Sequence, residues 1–87
     1  MKTKKQILEE AIEIYAAILL IMRQQKTDYC QSWWLNKHNF SLQSNLDSKS
    51  IVRRCHLLVR LGYLIIDREK TSTAMGTSFK LTEKQLL

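Results

Sequence analysis

Lys49, Arg53, His56 and Arg60 are spaced i, i+4, i+7 and i+11 in the sequence. On an α-helix that spacing gathers them within about 60° of arc. No acidic residue lies among them, and the nearest, Asp47, precedes the run. A solvated helix face usually mixes signs, because Glu–Lys pairs one turn apart support the helix. A stripe of one sign repels itself, and an anionic partner relieves that repulsion. The chemistry on offer is therefore anion recognition, and double-stranded DNA is the partner it fits. The major groove admits one α-helix, and arginine grips guanine O6 and N7 with two hydrogen bonds. Lysine and arginine also pair with phosphates, which set register without reading sequence.

Lys49 and Arg53, in the N-terminal half of the run, are the candidates for base edges, and Arg60 is placed for a phosphate. Arg54 lies to one side, within reach of the DNA backbone or of an acid on the first helix. His56 completes the stripe. Leu57 leans outward, toward a thymine methyl or over a neighbouring side chain. Ser48 and Ser50, with the free amides of a helix N-terminus, are expected to hold a phosphate oxygen.

These residues need a helix to present them, and the sequence marks its ends. Asp47 or Ser48 is a good N-cap, and Gly62 suits the left-handed position where helices commonly stop. A helix over 48–61 places Ile51, Cys55, Leu58, Val59 and Gly62 opposite the basic stripe, as the face that packs on the first helix.

That first helix is expected over 4–25. Thr3-Lys4-Lys5-Gln6 has the form of a capping box, and Ile7, Leu8, Ala11, Tyr15, Ile18, Leu19 and Met22 gather on one face as its core side. A second apolar patch, Ala16, Ala17, Leu20 and Ile21, needs a cover, either another element of the domain or a second subunit. The second subunit is the favoured reading, and these four residues are the expected dimer interface.

Lys26 to Gln31 reads as a connector with room for a short strand. Ser32 can cap a second helix over 32–39 that carries Trp33, Trp34 and Leu35. Adjacent tryptophans on a helix point about 100° apart, so one is expected in the core and the other in a groove or at an interface. The segment 36–46, with Phe40, Leu42 and Leu46, is polar with spaced apolar residues and has no clear boundaries.

After Gly62, the apolar run Tyr63-Leu64-Ile65-Ile66 and the alternating Thr77-Ser78-Phe79-Lys80-Leu81 predict an antiparallel hairpin over 63–81. Its long loop holds Arg68, Lys70, Thr71, Ser72 and Thr73, with Asp67 and Glu69 interleaved and Gly76 supplying turn geometry. Arg68 and Lys70 suit DNA backbone or minor-groove contact.

From about Ser32 to Leu81 the chain resembles a winged helix-turn-helix DNA-binding domain of the prokaryotic or phage regulator type. Ser50, Ile51, Arg53, Cys55, Leu58, Gly62, Tyr63 and Leu64 fill the positions of the family's pattern. The resemblance implies that the 48–61 helix is the recognition helix and the following hairpin a wing. Two departures stand out: the segment between second and third helices is longer than the usual tight turn, and Cys55 replaces a large aliphatic residue.

Composition bounds the rest. Eighty-seven residues make one domain, over 1–87, mainly α with a small β-hairpin. A chain this short buries only roughly 60–65% of its unfolded surface, which favours a homodimer. There is no proline and there are two glycines, a poor supply for a fold built on many tight turns. Fourteen Lys and Arg against eight Asp and Glu leave a formal charge of +6, which favours acidic partners. Cys30 and Cys55 lack a CxxC spacing or a neighbouring histidine, so no metal and no cofactor is expected. No phosphate-binding glycine loop and no nucleophile beside a base appears, and an enzyme is not expected. The apolar stretch Ile14–Met22 is too short to span a bilayer. No signal peptide is read at Met1–Lys5, and no membrane partner is expected. The location implied is cytoplasmic, on the nucleoid. The rival reading is a winged-helix protein-interaction module, such as a small phage-encoded inhibitor of a host factor, gripping a protein partner through Trp33, Trp34 and the second apolar patch.

Overall fold

Among the described residues, three helices and a small three-stranded antiparallel sheet share one core. The computed structural model describes residues 2–37, 46–71 and 76–86. The elements are α1 (Lys4–Gln25), β1 (Cys30–Gln31), α2 (Ser32–Lys37), α3 (Ser48–Arg60), β2 (Leu64–Ile66) and β3 (Ser78–Leu81). The expectations for Phe40, Leu42, the far end of the 32–39 helix, Ser72 and Thr73 fall outside the described residues.

Helix α1 starts where its capping box lies. The Gln6 amide donates to Thr3 Oγ1 at 3.1 Å, and the Thr3 amide donates to Gln6 Oε1 at 2.8 Å. Two amides that a helix start otherwise leaves unpaired are thereby satisfied. The helix ends at Lys26, in the left-handed conformation with φ 56°.

Its buried face is Ala11, Ile14, Tyr15, Ala17, Ile18, Ile21 and Met22. Relative to the face expected from periodicity, the buried arc is turned by about 50° at 100° per residue. Leu8, expected inside, is 46% exposed. The cause is tertiary: α1 packs on α3, α2 and β1 together, so its covered arc is wider and differently centred than one neighbour would dictate. This corrects half of the expected dimer patch. Ala17 and Ile21 belong to the chain's own core, while Ala16 and Leu20 remain exposed.

Helix α3 is capped by Asp47, whose side chain accepts from the Ser50 amide at 2.8 Å. Ile51, Cys55 and Leu58 are its buried residues, and its main packing partner is α1. It stops through a Schellman arrangement. The Gly62 amide donates to Val59 O at 3.1 Å and the Tyr63 amide to Leu58 O at 2.9 Å. Gly62 sits at φ 92°, a conformation that side chains disfavour. Lys84 adds a cation at this carbonyl-rich end, donating to Leu61 O at 3.0 Å.

The strand order is β1-β3-β2, all antiparallel. Phe79 pairs with Cys30 on one side and Ile66 on the other, and is fully buried. The start of the hairpin loop folds on itself. The Asp67 amide donates to Ser78 O at 2.8 Å, Thr71 Oγ1 donates to Asp67 O at 2.7 Å, and Ser78 Oγ donates to Lys70 O at 3.0 Å. Gly76, at φ 78°, faces Ser32 Oγ, which a Cβ there would approach to 3.1 Å.

Neither tryptophan is fully buried, contrary to expectation. Trp33 is 39% exposed and donates from Nε1 to Gln31 Oε1 at 2.7 Å. Trp34 is half-buried against the core and stacks at a tilt on Tyr29, 5.5 Å away. No helix among the described residues is long and apolar enough to cross a membrane.

Candidate nucleic-acid interface

The four residues of the predicted stripe, Lys49, Arg53, His56 and Arg60, are all exposed on α3. Their face is opposite Ile51, Cys55 and Leu58, so burying the core side of the helix dictates the outward direction of the cations. Among the described residues, no acid forms an ion pair with Lys49, Arg53 or Arg60. Among the described residues Lys4, Lys5, Arg23, Lys26 and Arg68 likewise form no ion pair, while other cations have partners. Lys2 pairs with Glu10, and Lys80 lies 3.8 Å from both Asp28 and Asp67. Lys84 rests over the Tyr63 ring at 4.6 Å.

His56 does a second job. Its ring meets the Phe79 ring edge to face at 5.8 Å, so one member of the stripe also leans on the central strand. Arg68 and Lys70 are exposed where the chain leaves β2. Lys70 Nζ lies 5.4 Å from the centre of the Tyr29 ring, a cation–π contact that ties the loop base to the segment before β1.

Two predicted site residues are engaged elsewhere. Arg54 points to the side of the stripe, and its Nε donates to Glu10 Oε1 at 3.0 Å, with both side chains only 13% exposed. Of the two roles open to it, the acid of the first helix takes it, and it is corrected out of the set of free cations. Ser50 is the other. Its amide already serves the Asp47 carboxylate, and a carboxylate at that position disfavours a phosphate on the same amides. The hydrogen bonds from Ser50 to Asp47, with the nearby charges of Arg53 and Lys49, hold that carboxyl below its ordinary pKa. Ser48 is exposed at the same turn.

Glu10 also has a lowered pKa. Burial alone pushes the carboxyl up, but hydrogen bonds and charge from Lys2 and Arg54 outweigh it. A depressed folded-state pKa gives stability that is present above the unfolded value, about 4.3 for glutamate, and is lost as pH falls through the folded value. Glu10→Gln is therefore expected to be less stable than the parent at pH 7 by up to about 1 kcal/mol. Urea titrations at pH 7 and pH 3 check this: the gap should close at the lower pH, and a gap independent of pH would assign the effect to packing.

Sequence reasoning missed a groove beside the stripe. It has a volume of about 600 Å³ and runs between the first turns of α1 and the part of α3 from Arg53 to its end. Ile7 and Leu8 line one side, Leu57 and Leu61 the other, with Lys4, Arg53 and Arg60 at the edges. The outward lean of Leu57 was legible in the helical winding, but its position opposite Leu8 depends on how α1 crosses α3.

Cys30 and Cys55 are free and buried, and burial pushes both thiols up to about 12. At neutral pH they stay protonated. Among the described residues no group of three His, Cys, Asp or Glu stands close enough to hold a metal ion. Comparison with protein-family models, with curated proteins and with solved structures returns no match to this chain.

Proposed function

We propose that this chain is a winged helix-turn-helix domain that binds double-stranded DNA sequence-specifically, as a small transcriptional regulator on the nucleoid, with α3 in the major groove. One observation carries the reading: Lys49, Arg53 and Arg60 share an exposed helix face and form no ion pair among the described residues, with the capping Asp47 carboxylate near Lys49 and Arg53 at one end. Self-repulsion of that kind is offset by a polyanion, and helix α3 is of a size the major groove accepts. The order α1, β1, α2, α3, β2, β3 supports the fold part of the reading, with β2 and β3 as the wing. In this reading Arg53 and Lys49 face base edges, Arg60 meets a phosphate, and Arg68 and Lys70 meet backbone at the wing. Selection from a pool of random duplexes tests it. Enrichment of one motif supports sequence-specific binding, and retention of no duplex even at low salt removes it.

The reading includes a homodimer. Ile12 is 38% and Leu20 54% exposed, and with exposed Ala16 they form an i, i+4 row along α1. A two-fold pairing through that row gives a palindromic site with half-sites about one helical turn apart. Leu20→Glu is expected to shift the sedimenting species from dimer to monomer, and an unchanged mass would remove this surface.

A further inference from the structure

The groove between α1 and α3 has a chemistry that a DNA-facing helix does not require. Its floor is aliphatic: Leu8, 46% exposed, and Leu61, 39% exposed, line it with Ile7 and Leu57. DNA offers little to such a floor, since apolar readout of a base edge is confined to the thymine methyl. Its rims are cationic. Lys4 stands on the α1 side, Arg53, Arg54, His56 and Arg60 on the α3 side, and among the described residues no acidic one lines it.

The length of the groove also bears on its occupant. Along α3 the lining runs from Arg53 to Leu61, about 12 Å at 1.5 Å per residue. A helix laid in a groove anchors through residues at i, i+3 or i+4, and i+7, which cover roughly 10.5 Å. Floor and rims are thus matched to two turns of an amphipathic helix whose apolar stripe is flanked by carboxylates.

We propose that this groove docks an acidic amphipathic helix of a partner protein, with aliphatic anchors on Leu8, Leu57 and Leu61 and flanking Asp or Glu on Lys4, Arg53 and Arg60. Arg53 and Arg60 belong both to this rim and to the basic stripe, so the docked helix and DNA exclude one another. That exclusion alone rests on the DNA reading; the docking does not. The partner would be one that releases the domain from DNA by occupying the recognition helix.

The test uses the full chain, labelled with ¹⁵N, and a synthetic helical peptide of about four turns. The peptide carries leucines at i, i+4 and i+7 and glutamates beside them. Two control peptides replace the leucines by alanine or the glutamates by lysine. The acidic peptide should shift the amide signals of Leu8, Leu57 and Leu61 saturably, and each control should bind at least about tenfold more weakly. Leu8→Gln and Leu61→Gln change exposed positions without adding charge, and each should weaken the peptide at least about fivefold. The same variants should bind duplex DNA within about twofold of the parent. Absence of saturable shifts, or equal binding of the alanine peptide, would overturn the proposal. Peptide binding by a chain that binds no duplex would uphold the groove and remove the DNA reading, whereas duplex binding without peptide binding would do the reverse.

Discussion

Replacing Arg53 by alanine should lower affinity for a selected duplex site by about 5- to 150-fold, the loss of one bidentate guanine contact. Arg53 is the member of the stripe for which the expected effect is largest. It lies in the N-terminal half of α3, exposed, one turn after Lys49. In the proposed DNA complex an arginine in that position faces base edges, whereas Arg60, near the helix end, faces backbone. The loss should be specific. Arg53→Ala should bind random-sequence duplex only a few-fold more weakly than the parent, because a base contact contributes little to non-specific binding. Arg54→Ala is the internal comparison. Its guanidinium is held by Glu10, so that variant should lose stability and keep DNA affinity within about twofold. Competition binding with the selected and random duplexes separates these outcomes. Equal losses for Arg53→Ala and Arg54→Ala would mean that the two arginines contribute only through net charge.

Phe79→Ala should have the largest effect on folding. The side chain is fully buried, sits on the central strand in register with both neighbours, and is covered by the His56 ring. Removing a buried phenylalanine costs about 3–5 kcal/mol. A domain of this length has a total stability of roughly 4–13 kcal/mol, at 0.05–0.15 kcal/mol per residue. The variant should therefore be near its folding threshold at room temperature, with its urea midpoint strongly lowered. His56→Ala removes only the cover and should cost much less. A loss below about 1 kcal/mol for Phe79→Ala would contradict its place at the junction of the sheet and α3.

Helix α3 was legible in the sequence because its signals are local. An aspartate cap, an apolar stripe, and a glycine at the stop all lie within the helix or one residue beyond it, and each is found in place. The second strand pair of the sheet was not legible to the same degree. Cys30-Gln31 is two residues long, too short for alternation, and it is a strand because β3 offers it a partner. The orientation of α1 was misjudged for a similar reason. Periodicity finds the most apolar arc, but Ala17 and Ile21 are buried because α2 and β1 close over the helix from another side.

The same division holds at the site. The stripe of Lys49, Arg53, His56 and Arg60 follows from helical spacing alone. What decides which other cations are free is distance in space. Glu10 and Arg54 are 44 residues apart, and no spacing rule brings them together. Lys4 and Leu8 enter the groove only because the start of α1 lies along α3. For Ser50 the competing signal was present in the sequence, since the same Asp47 that caps the helix takes the amide a phosphate would need.

The most direct test of the DNA reading is the salt dependence of duplex binding, for the parent and for Lys49→Ala/Arg60→Ala. If α3 neutralises phosphates, log K should fall linearly with log salt, with a slope of about −0.9 per phosphate contact. The parent should then show a slope equivalent to several contacts, and the double variant a slope shallower by roughly 1, for the phosphate assigned to Arg60. A parent slope near zero, or one that the double variant leaves unchanged, would contradict the placement of α3 against DNA.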